Sequence, residues 1–423
     1  MPAARHQAPA RRGPRAARAA RAAALVLSLA VAGAGTVEYL HLRANVRSAP
    51  LYAGVRGDPG AERPDAAGNT PVNLLVIGSD DRSNPADCRI GHDCTGGGVN
   101  ADVELLVHVA ADRSNATVVS IPRDTVTDLP ACRDRRTGRV LPDRRGPINA
   151  SLEAGPGCTV AAVHRLTGVP VDHFAMVDFV GVIALSDAVG GVPVCVSDDV
   201  YDPYSHLRLT KGDHVLQGMA ALQFLRSRHA FGDGSDLGRT YAQHAFLASM
   251  VRTLSAAGVL GNPARVLRLA EAATRALTVD DELRSIARLV ALATDVDDVP
   301  SNRITFLTMP TSPDPQNPAR VVPAATARAL FGAVAQDRPV APPRPAPSAT
   351  GRRPGRSRSP SVSPSVSPSV PGATAPDGTH ARTADDARTC APVSHQHTVV
   401  LHGVAMSPVT AYARSGDVPV SAP

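Results

Sequence analysis

The residues able to do chemistry in this chain stand where apolar runs give way to polar loops. Asp80 follows Val72-Asn-Leu-Leu-Val-Ile77 and Gly78-Ser79, Asp102 precedes the run Val103 to Val109, and Arg123 follows Thr117-Val-Val-Ser-Ile121 and Pro122. Arg226 and Arg228 are two apart and would project from one face of an extended segment. Arg239 and Gln243 are four apart and share a face of a helix. Two carboxylates with four arginines suit a Mg2+-bound diphosphate. Mg2+ takes one or two carboxylates plus phosphate oxygens, while planar guanidinium forks grip phosphate bidentately. By spacing alone the pattern nominates this chemistry without deciding it, because loop Asp and Arg residues also serve as solvated surface or structural ion pairs.

These residues need strands and helices to bring them together. Val72–Ile77 reads as a buried strand opening into a polar loop, and Val103, Leu105, Val107 and Val109 alternate with polar neighbours as a second strand. Thr117–Ile121, Val171–Asp178 and Val192–Val196 are further strands. Helices are predicted over Thr159–Leu166, Phe179–Val189 up to Gly190-Gly191, Gly218–Leu225, Arg239–Ala257 and, after Pro263, Ala264–Ala276. Strands alternating with helices between Pro71 and Gln336 predict one α/β sandwich domain.

The remainder of the 423 residues is different in kind. Six arginines from Arg5 to Arg21 precede an uncharged stretch, Ala22 to Val37, so the N-terminus is predicted to stay in the cytoplasm with the bulk of the chain exported. The expectation is an uncleaved signal anchor over residues 22–42; a cleaved signal peptide with Ala32-Gly33-Ala34 at its site is the alternative. Residues 1–21 are then a cytoplasmic basic terminus, 43–70 a linker, 71–336 the catalytic-type domain and 337–423 a tail. That tail holds a Ser-Pro-Ser-Val repeat between Ser359 and Val370 in a Pro/Ser/Arg-rich setting, a composition expected to stay disordered. Aromatic residues make up 3% and Trp is absent, which argues against a nucleic-acid binder that stacks bases. The net charge of +6 sits largely in the two arginine-rich ends, and no nucleic-acid partner is expected.

Six cysteines fit an oxidising compartment. Cys88 and Cys94 flank a loop with His92 and Asp93, but the spacing lacks a second ligand pair for zinc, so a short-loop disulfide is the expectation. Cys132 with Cys158 is a candidate second pair, leaving Cys195 and Cys390 without obvious partners.

The phrases Asn73-Leu-Leu-Val-Ile-Gly-Ser-Asp-Asp-Arg82, Val118-Val-Ser-Ile-Pro-Arg-Asp124, Ile148-Asn-Ala150, Asp178-Phe179 with Gly190-Gly-Val192, Arg226-Ser-Arg-His229 and Asp233-Gly-Ser-Asp-Leu-Gly-Arg239 come in a distinctive order and spacing. In these, and in Leu277-Thr-Val-Asp-Asp281 and Ile304-Thr-Phe-Leu-Thr308, the chain resembles the LytR-CpsA-Psr family across about residues 72 to 335. The resemblance implies a three-layer α/β/α sandwich with a central mixed sheet. It also implies an extracytoplasmic phosphotransferase that moves a glycopolymer from a polyprenyl-pyrophosphate carrier to peptidoglycan, forming a phosphodiester and releasing polyprenyl phosphate. The partners implied are that lipid-linked glycan donor, the peptidoglycan acceptor and the cytoplasmic membrane; the cofactor is Mg2+. Residue by residue, the resemblance makes Asp80 and Asp102 the Mg2+-associated aspartates, catalytic together with Arg123. Arg82, Arg123, Arg226, Arg228, Arg239 and Gln243 would contact the pyrophosphate or its surroundings.

The chain also departs from the family pattern. Asn100 stands where an arginine is usual, and Ala242-Gln243-His244 replaces a common Arg-Gln-Gln run. Many relatives have a cysteine near the position of Asp213, whose absence would leave Cys195 unpaired. These departures keep open a non-catalytic polyprenyl-pyrophosphate binder or a lipid pyrophosphatase in wall assembly. A third reading, a transcriptional regulator, finds no helix-turn-helix in the sequence.

Overall fold

The computed structural model describes residues 14–81, 85–91, 99–134, 137–234, 236–256, 262–341, 373–374, 382–383 and 390–421. It divides into two units, residues 1–45 and 46–423. The first unit contributes one helix, α1 (Pro14–Asn45). Its Leu25–Asn45 part, 21 residues of hydropathy 1.5, is long and apolar enough to cross a membrane by length and composition. Leu25, Leu27, Leu29 and Val31 are exposed along it, as lipid-facing side chains are.

The second unit is built on an eight-stranded sheet. Its strands are β1 (Arg47–Ala49), β2 (Val72–Ser79), β3 (Ala101–Val109), β4 (Ala116–Ile121), β5 (His173–Val177), β6 (Leu277–Asp280), β7 (Ile304–Thr308) and β8 (Arg382–Thr383). They lie in the order β1-β6-β5-β2-β3-β4-β7-β8. The sheet is mixed: β2 runs parallel to β5 and antiparallel to β3, and β4 is antiparallel to β3 but parallel to β7. The helices after α1 are α2 (Pro85–Gly91), α3 (Pro156–Thr167), α4 (Phe179–Val189), α5 (Gly218–Arg226), α6 (Asp236–Ala256), α7 (Pro263–Ala276), α8 (Ile286–Asp297), α9 (Ala327–Val334) and α10 (Pro408–Arg414).

Alternation along the strands assigns the layers. Phe174, Leu75, Leu106, Val119 and Leu307 are in register across five strands and all are buried. This row packs on Val160 and Val163 of α3 and on Leu330 and Phe331 of α9, forming the main core. Leu105, Val118 and Phe306 point to the other face and meet Ala248 of α6. Helices therefore cover both faces, and the three-layer sandwich with a mixed sheet is the observed architecture.

A second core lies beside the sheet, where Val192–Val196 and Gly212–Leu216 form an antiparallel pair over Phe224, Phe231 and Phe246. Val192–Val196 is thus a strand, as predicted, but outside the central sheet. Two expectations about the ends of the domain need correction. Residues 46–70 are part of the folded unit rather than a linker: β1 pairs with β6, and the Ala53 N–H donates to the Gly157 carbonyl at 3.0 Å. Residues 390–421, expected within a disordered tail, are folded; most of residues 342–389 lie outside the described residues.

The physical reason for this last fold is a covalent anchor beside an apolar seat. Cys390 is disulfide-bonded to Cys195, so Cys195 is not left unpaired. Ala391 and Val393 then bury in the second core, and Val399–Leu401 pairs with Val404–Met406 ahead of α10. Cys195 lies directly opposite Asp213, so the bond runs to the C-terminal segment instead of across this ladder. Cys132–Cys158 forms as expected. The Cys88–Cys94 pairing lies outside the described residues, since Cys94 does.

Candidate active site

Asp80 leaves the end of β2. Its Oδ1 accepts the Asn100 backbone N–H at 2.7 Å, and its own N–H donates to the Asn100 carbonyl at 3.1 Å. The Asn100 side chain approaches the other carboxylate oxygen at 3.5 Å. Asn100, where a cation is usual in the resemblance, therefore serves here to hold Asp80 in place.

Asp102 is brought to the same side of the sheet by an irregularity in β3. Gly78 pairs with Val103 and Ser79 with Ala101, so Asp102 is the extra residue of a bulge. A bulge sets two successive residues on one face and re-aims the strand, a device common beside active sites. Asp102 and Val103 thereby join Ser120, Arg239, Thr240 and Gln243 around one narrow cleft.

Arg123 closes this cleft from the exit of β4. Its Nη1 donates to Asp102 Oδ1, and its Nε lies 3.8 Å from Asp124 Oδ2. Arg228 Nη2 donates to the same Asp124 oxygen at 3.2 Å. From α6, Arg239 reaches the Asp102 carbonyl with Nη2 at 3.2 Å, and Gln243 Nε2 donates to the Leu225 carbonyl at 3.2 Å. Arg239 and Gln243 are both buried, which makes their orientation a product of packing and hydrogen bonding rather than chance.

Arg226 and Arg228 do not project together as an extended pair. Arg226 is the last residue of α5 and its guanidinium lies 4.7 Å from the centre of the Phe179 ring, whereas Arg228 lies beyond the helix and turns to Asp124. The helix runs one residue past the predicted Leu225, so Arg226 is helical and only Arg228 lies in the segment after it. Arg82 lies outside the described residues. The other nominated residues, Asp80, Asp102, Arg123, Arg228, Arg239 and Gln243, gather at one end of the sheet through the contacts above.

Asp124 and Asn100 are members of this cluster that spacing did not nominate. Asp124 was detectable only as the acidic residue directly after Arg123. Two departures from the family pattern turn out to be packing positions. Ala242 is fully buried in the second core, and His244 Nε2 lies 2.7 Å from Ser120 Oγ with its ring against Phe306, fastening α6 to β4.

One end of this cluster opens onto an apolar surface. Val76 of β2 pairs with Ala175 of β5, and Gly78 with Val177; on the other side Leu74 pairs with Val107 and Gly78 with Val103. All of these sit on the face away from the main core, and all are only half-buried although their strands are central. Helix α4, Phe-Val-Gly-Val-Ile-Ala-Leu-Ser-Asp-Ala-Val, is apolar yet likewise leaves Val180, Val182, Ile183 and Leu185 half-buried. Its N-terminus is pinned by two carboxylates: Asp178 Oδ1 accepts the Gly181 N–H at 2.7 Å and Asp87 Oδ1 the Val180 N–H at 2.9 Å. Burial, with Asp178 and Asp81 nearby, pushes the Asp87 carboxyl above its ordinary range.

This geometry can be set beside known proteins. The LytR_cpsA_psr family model matches residues 49–329, well over half of the chain. The chain belongs to the LytR-CpsA-Psr family. Among curated relatives, the cell wall biosynthesis protein LcpA of Corynebacterium glutamicum is 32% identical over 272 residues, covering 58% of this chain and 51% of LcpA. A polyisoprenyl-teichoic acid–peptidoglycan teichoic acid transferase, TagU of Bacillus cereus, is 28% identical over 194 residues, 46% of this chain and 56% of TagU. The chain thus spans about half the length of the curated relatives it matches. Among solved structures, a LytR-Csp2A-Psr enzyme from Actinomyces oris superposes with a TM-score of 0.52 at 21% identity, over 69% of this chain and 96% of that one. That likeness shows a shared fold.

The donor set in the cleft consists of carboxylate oxygens, and no group of three or more His, Cys, Asp or Glu side chains that could hold a metal occurs among the described residues. Asp102 lines the cleft and Asp80 stands at the end of the neighbouring strand; two such carboxylates suit a hard oxygen-loving ion that completes its shell with phosphate oxygens. Mg2+ fits this donor set better than zinc, which favours His and Cys.

Proposed function

We propose that this chain is an extracytoplasmic phosphotransferase that moves a glycopolymer from a polyprenyl-pyrophosphate carrier to peptidoglycan, anchored in the cytoplasmic membrane by α1. The observation that carries the reading is the junction of two surfaces. A half-exposed apolar sheet face under α4 ends at a cluster of Asp80, Asp102, Arg123, Arg228 and Arg239. An isoprenoid tail has use for the first surface and a diphosphate for the second. The printed name of TagU, a transferase acting between a polyisoprenyl-linked polymer and peptidoglycan, supports the same reading.

In the proposed reaction a sugar hydroxyl of the acceptor forms a bond to the phosphorus nearer the glycan. The P–O bridge to polyprenyl phosphate breaks with its electron pair, and the hydroxyl proton passes to the departing lipid phosphate. The donor already carries the energy in its pyrophosphate bond. Arg123, Arg228 and Arg239 would neutralise the charge that grows on the leaving phosphate; the Asp102 and Asp124 carboxylates hold the first two, and the Asp102 backbone carbonyl the third, before substrate arrives. Asp80 and Asp102 would hold Mg2+, which supplies further neutralisation of the diphosphate when bound.

Purified full-length protein in detergent, given Mg2+, a labelled lipid-linked glycan and peptidoglycan fragments, is expected to yield a phosphodiester-linked product. Donor binding without transfer would leave the binder reading, and release of inorganic or glycan phosphate alone would favour the pyrophosphatase.

A further inference from the structure

Strand β7 ends beside β4, with Thr308 opposite Ser120 in a parallel pair and the Met309 N–H donating to the Ser120 carbonyl at 2.9 Å. The segments that leave the two strands therefore emerge side by side. From β4 come Arg123 and Asp124; from β7 comes an antiparallel hairpin of Thr311–Asp314 with Asn317–Pro323. This hairpin touches the site through its backbone. The Val321 N–H donates to the Asp124 carbonyl at 3.5 Å, and Val321 forms a parallel bridge with Thr125, which sets Arg320 next to Asp124.

The register of the hairpin breaks where Arg320 stands. Pro313 lies opposite Val321 but Asp314 lies opposite Asn317, so Pro318, Ala319 and Arg320 bulge out of the ladder. Extra residues of this kind re-aim a strand and recur beside active sites. Local bonds steady the turn before the bulge: the Gln316 N–H donates to Asp314 Oδ1 and the Ala319 N–H to Asn317 Oδ1, each at 3.1 Å.

Arg320 is half-buried, and its Nη1 is enclosed by protein yet has no acceptor among the described residues. A guanidinium keeps its charge at any working pH, and a buried donor without an acceptor is costly, so such an atom points to a ligand oxygen that completes it. Asp124, beside it along the bridge, already accepts from Arg228 at 3.2 Å and lies 3.8 Å from Arg123. A third guanidinium brought to this end of the sheet adds to the repulsion between those two until an anion binds. Resting on the transferase reading above, we infer that Arg320 is a further substrate-binding residue, whose guanidinium grips an anionic oxygen of the lipid-linked donor beside the Arg123–Asp124–Arg228 cluster. That oxygen belongs either to the pyrophosphate or to the first anionic group of the glycan.

The test uses the full-length protein in detergent, with Mg2+ in every arm, and three probes: inorganic pyrophosphate, a polyprenyl diphosphate without glycan, and a polyprenyl-pyrophosphate glycan. Arg320→Ala is expected to weaken calorimetric binding of the glycan-bearing donor about tenfold, and Arg320→Lys about threefold, because the charge stays and the fork goes. Equal weakening toward the two glycan-free probes assigns the contact to the pyrophosphate, whereas weakening of the glycan-bearing donor alone assigns it to the glycan. Thermal unfolding separates binding from a structural role. Without ligand, Arg320→Ala is expected to unfold at or above the wild-type temperature, since its Nη1 gives up no bond, while the rise that the donor produces shrinks. Donor binding that depends on Arg320 with no transfer would support the contact while removing the transferase reading. Transfer and donor affinity both unchanged in Arg320→Ala would overturn the contact and leave that reading standing. A lowered unfolding temperature with unchanged donor affinity would likewise overturn it, making Arg320 a structural residue.

Discussion

The Asp124 carboxylate accepts a hydrogen bond from Arg228 Nη2 at 3.2 Å, and the same oxygen lies 3.8 Å from Arg123 Nε. One carboxylate thus joins the exit of β4 to the segment after α5, regions 104 residues apart in sequence. Its negative charge offsets the repulsion between the two guanidiniums it joins. Asp124→Ala is expected to lower kcat/KM for transfer about 10- to 100-fold through misplaced arginines, with Asp124→Asn losing less because its amide oxygen still accepts. Steady-state kinetics of both variants checks the order.

Arg239 is buried against the Asp102 carbonyl, so its fork has one orientation available. Replacing it with Lys keeps the charge and loses the fork. Arg239→Lys is expected to reduce kcat by about 100-fold, near the cost of losing an oriented donor to a growing anion. A fall of only a few-fold would make Arg239 a structural contact.

How much of this was legible in the sequence depends on the kind of contact involved. Strand ends advertised Asp80, Asp102 and Arg123, because a short apolar run stopped by Gly or Pro is a local signal. Helix α4 was legible to its last residue for the same reason: Asp178 caps one end and Gly190 in a left-handed conformation closes the other. Asp124 as a bridge, the bulge at Asp102 and the Cys195–Cys390 bond are long-range outcomes with no local period. The folded segment after residue 390 was hidden by its surroundings. A stretch of few apolar residues looks soluble by composition, yet Ala391, Val393 and Val399 each find a buried seat once Cys390 is tethered.

That tether has a consequence for the site. Thr398 Oγ1 donates to the His229 carbonyl at 2.6 Å and the Ser394 N–H to the Ala230 carbonyl at 2.8 Å, so the C-terminal segment braces the loop carrying Arg228. Cys195→Ser with Cys390→Ser is expected to cost about 2–4 kcal/mol of stability. Thermal unfolding of the double variant checks the loss, and hydrogen exchange is expected to show faster exchange at residues 226–234 than at β4.

At the far end of β2, Glu62 sits in an acidic pocket. Asn73 Nδ2 donates to Glu62 Oε1, while His108 bridges Asn73 Oδ1 at 2.7 Å and Asp337 Oδ1 at 3.0 Å. Burial above all, then Asp172 and Asp337, pushes the Glu62 carboxyl up to about 7. A raised carboxyl favours folding where it is protonated in the native state. Its contribution is therefore full below about 4.5 and fades as pH rises to about 7. Partial exposure limits the effect to about 1–2 kcal/mol. Glu62→Gln is expected to flatten the decline in stability across this window, measured by denaturant unfolding at several pH values; a parallel decline in the variant would assign it elsewhere.

The apolar face under α4 makes a separate prediction about the lipid. Val182→Asp sets a charge on a half-buried position of that helix. The variant is expected to weaken binding of a long polyprenyl diphosphate by at least about tenfold and to leave a short-chain diphosphate nearly unaffected, since only the long chain needs the surface. Equal weakening of both, read by direct binding, would point to a disturbed fold.

The central claim is that the junction of this surface with Asp80, Asp102 and the arginines performs phosphoryl transfer. Mass spectrometry of the product formed by the full-length protein from a labelled polyprenyl-pyrophosphate glycan and a peptidoglycan fragment tests it most directly. The account predicts one new phosphodiester between glycan and fragment, one polyprenyl monophosphate released per linkage, and loss of both in Asp80→Ala. A donor that binds at the same site yet is recovered intact, or an Asp80→Ala protein that transfers at the wild-type rate, would contradict it.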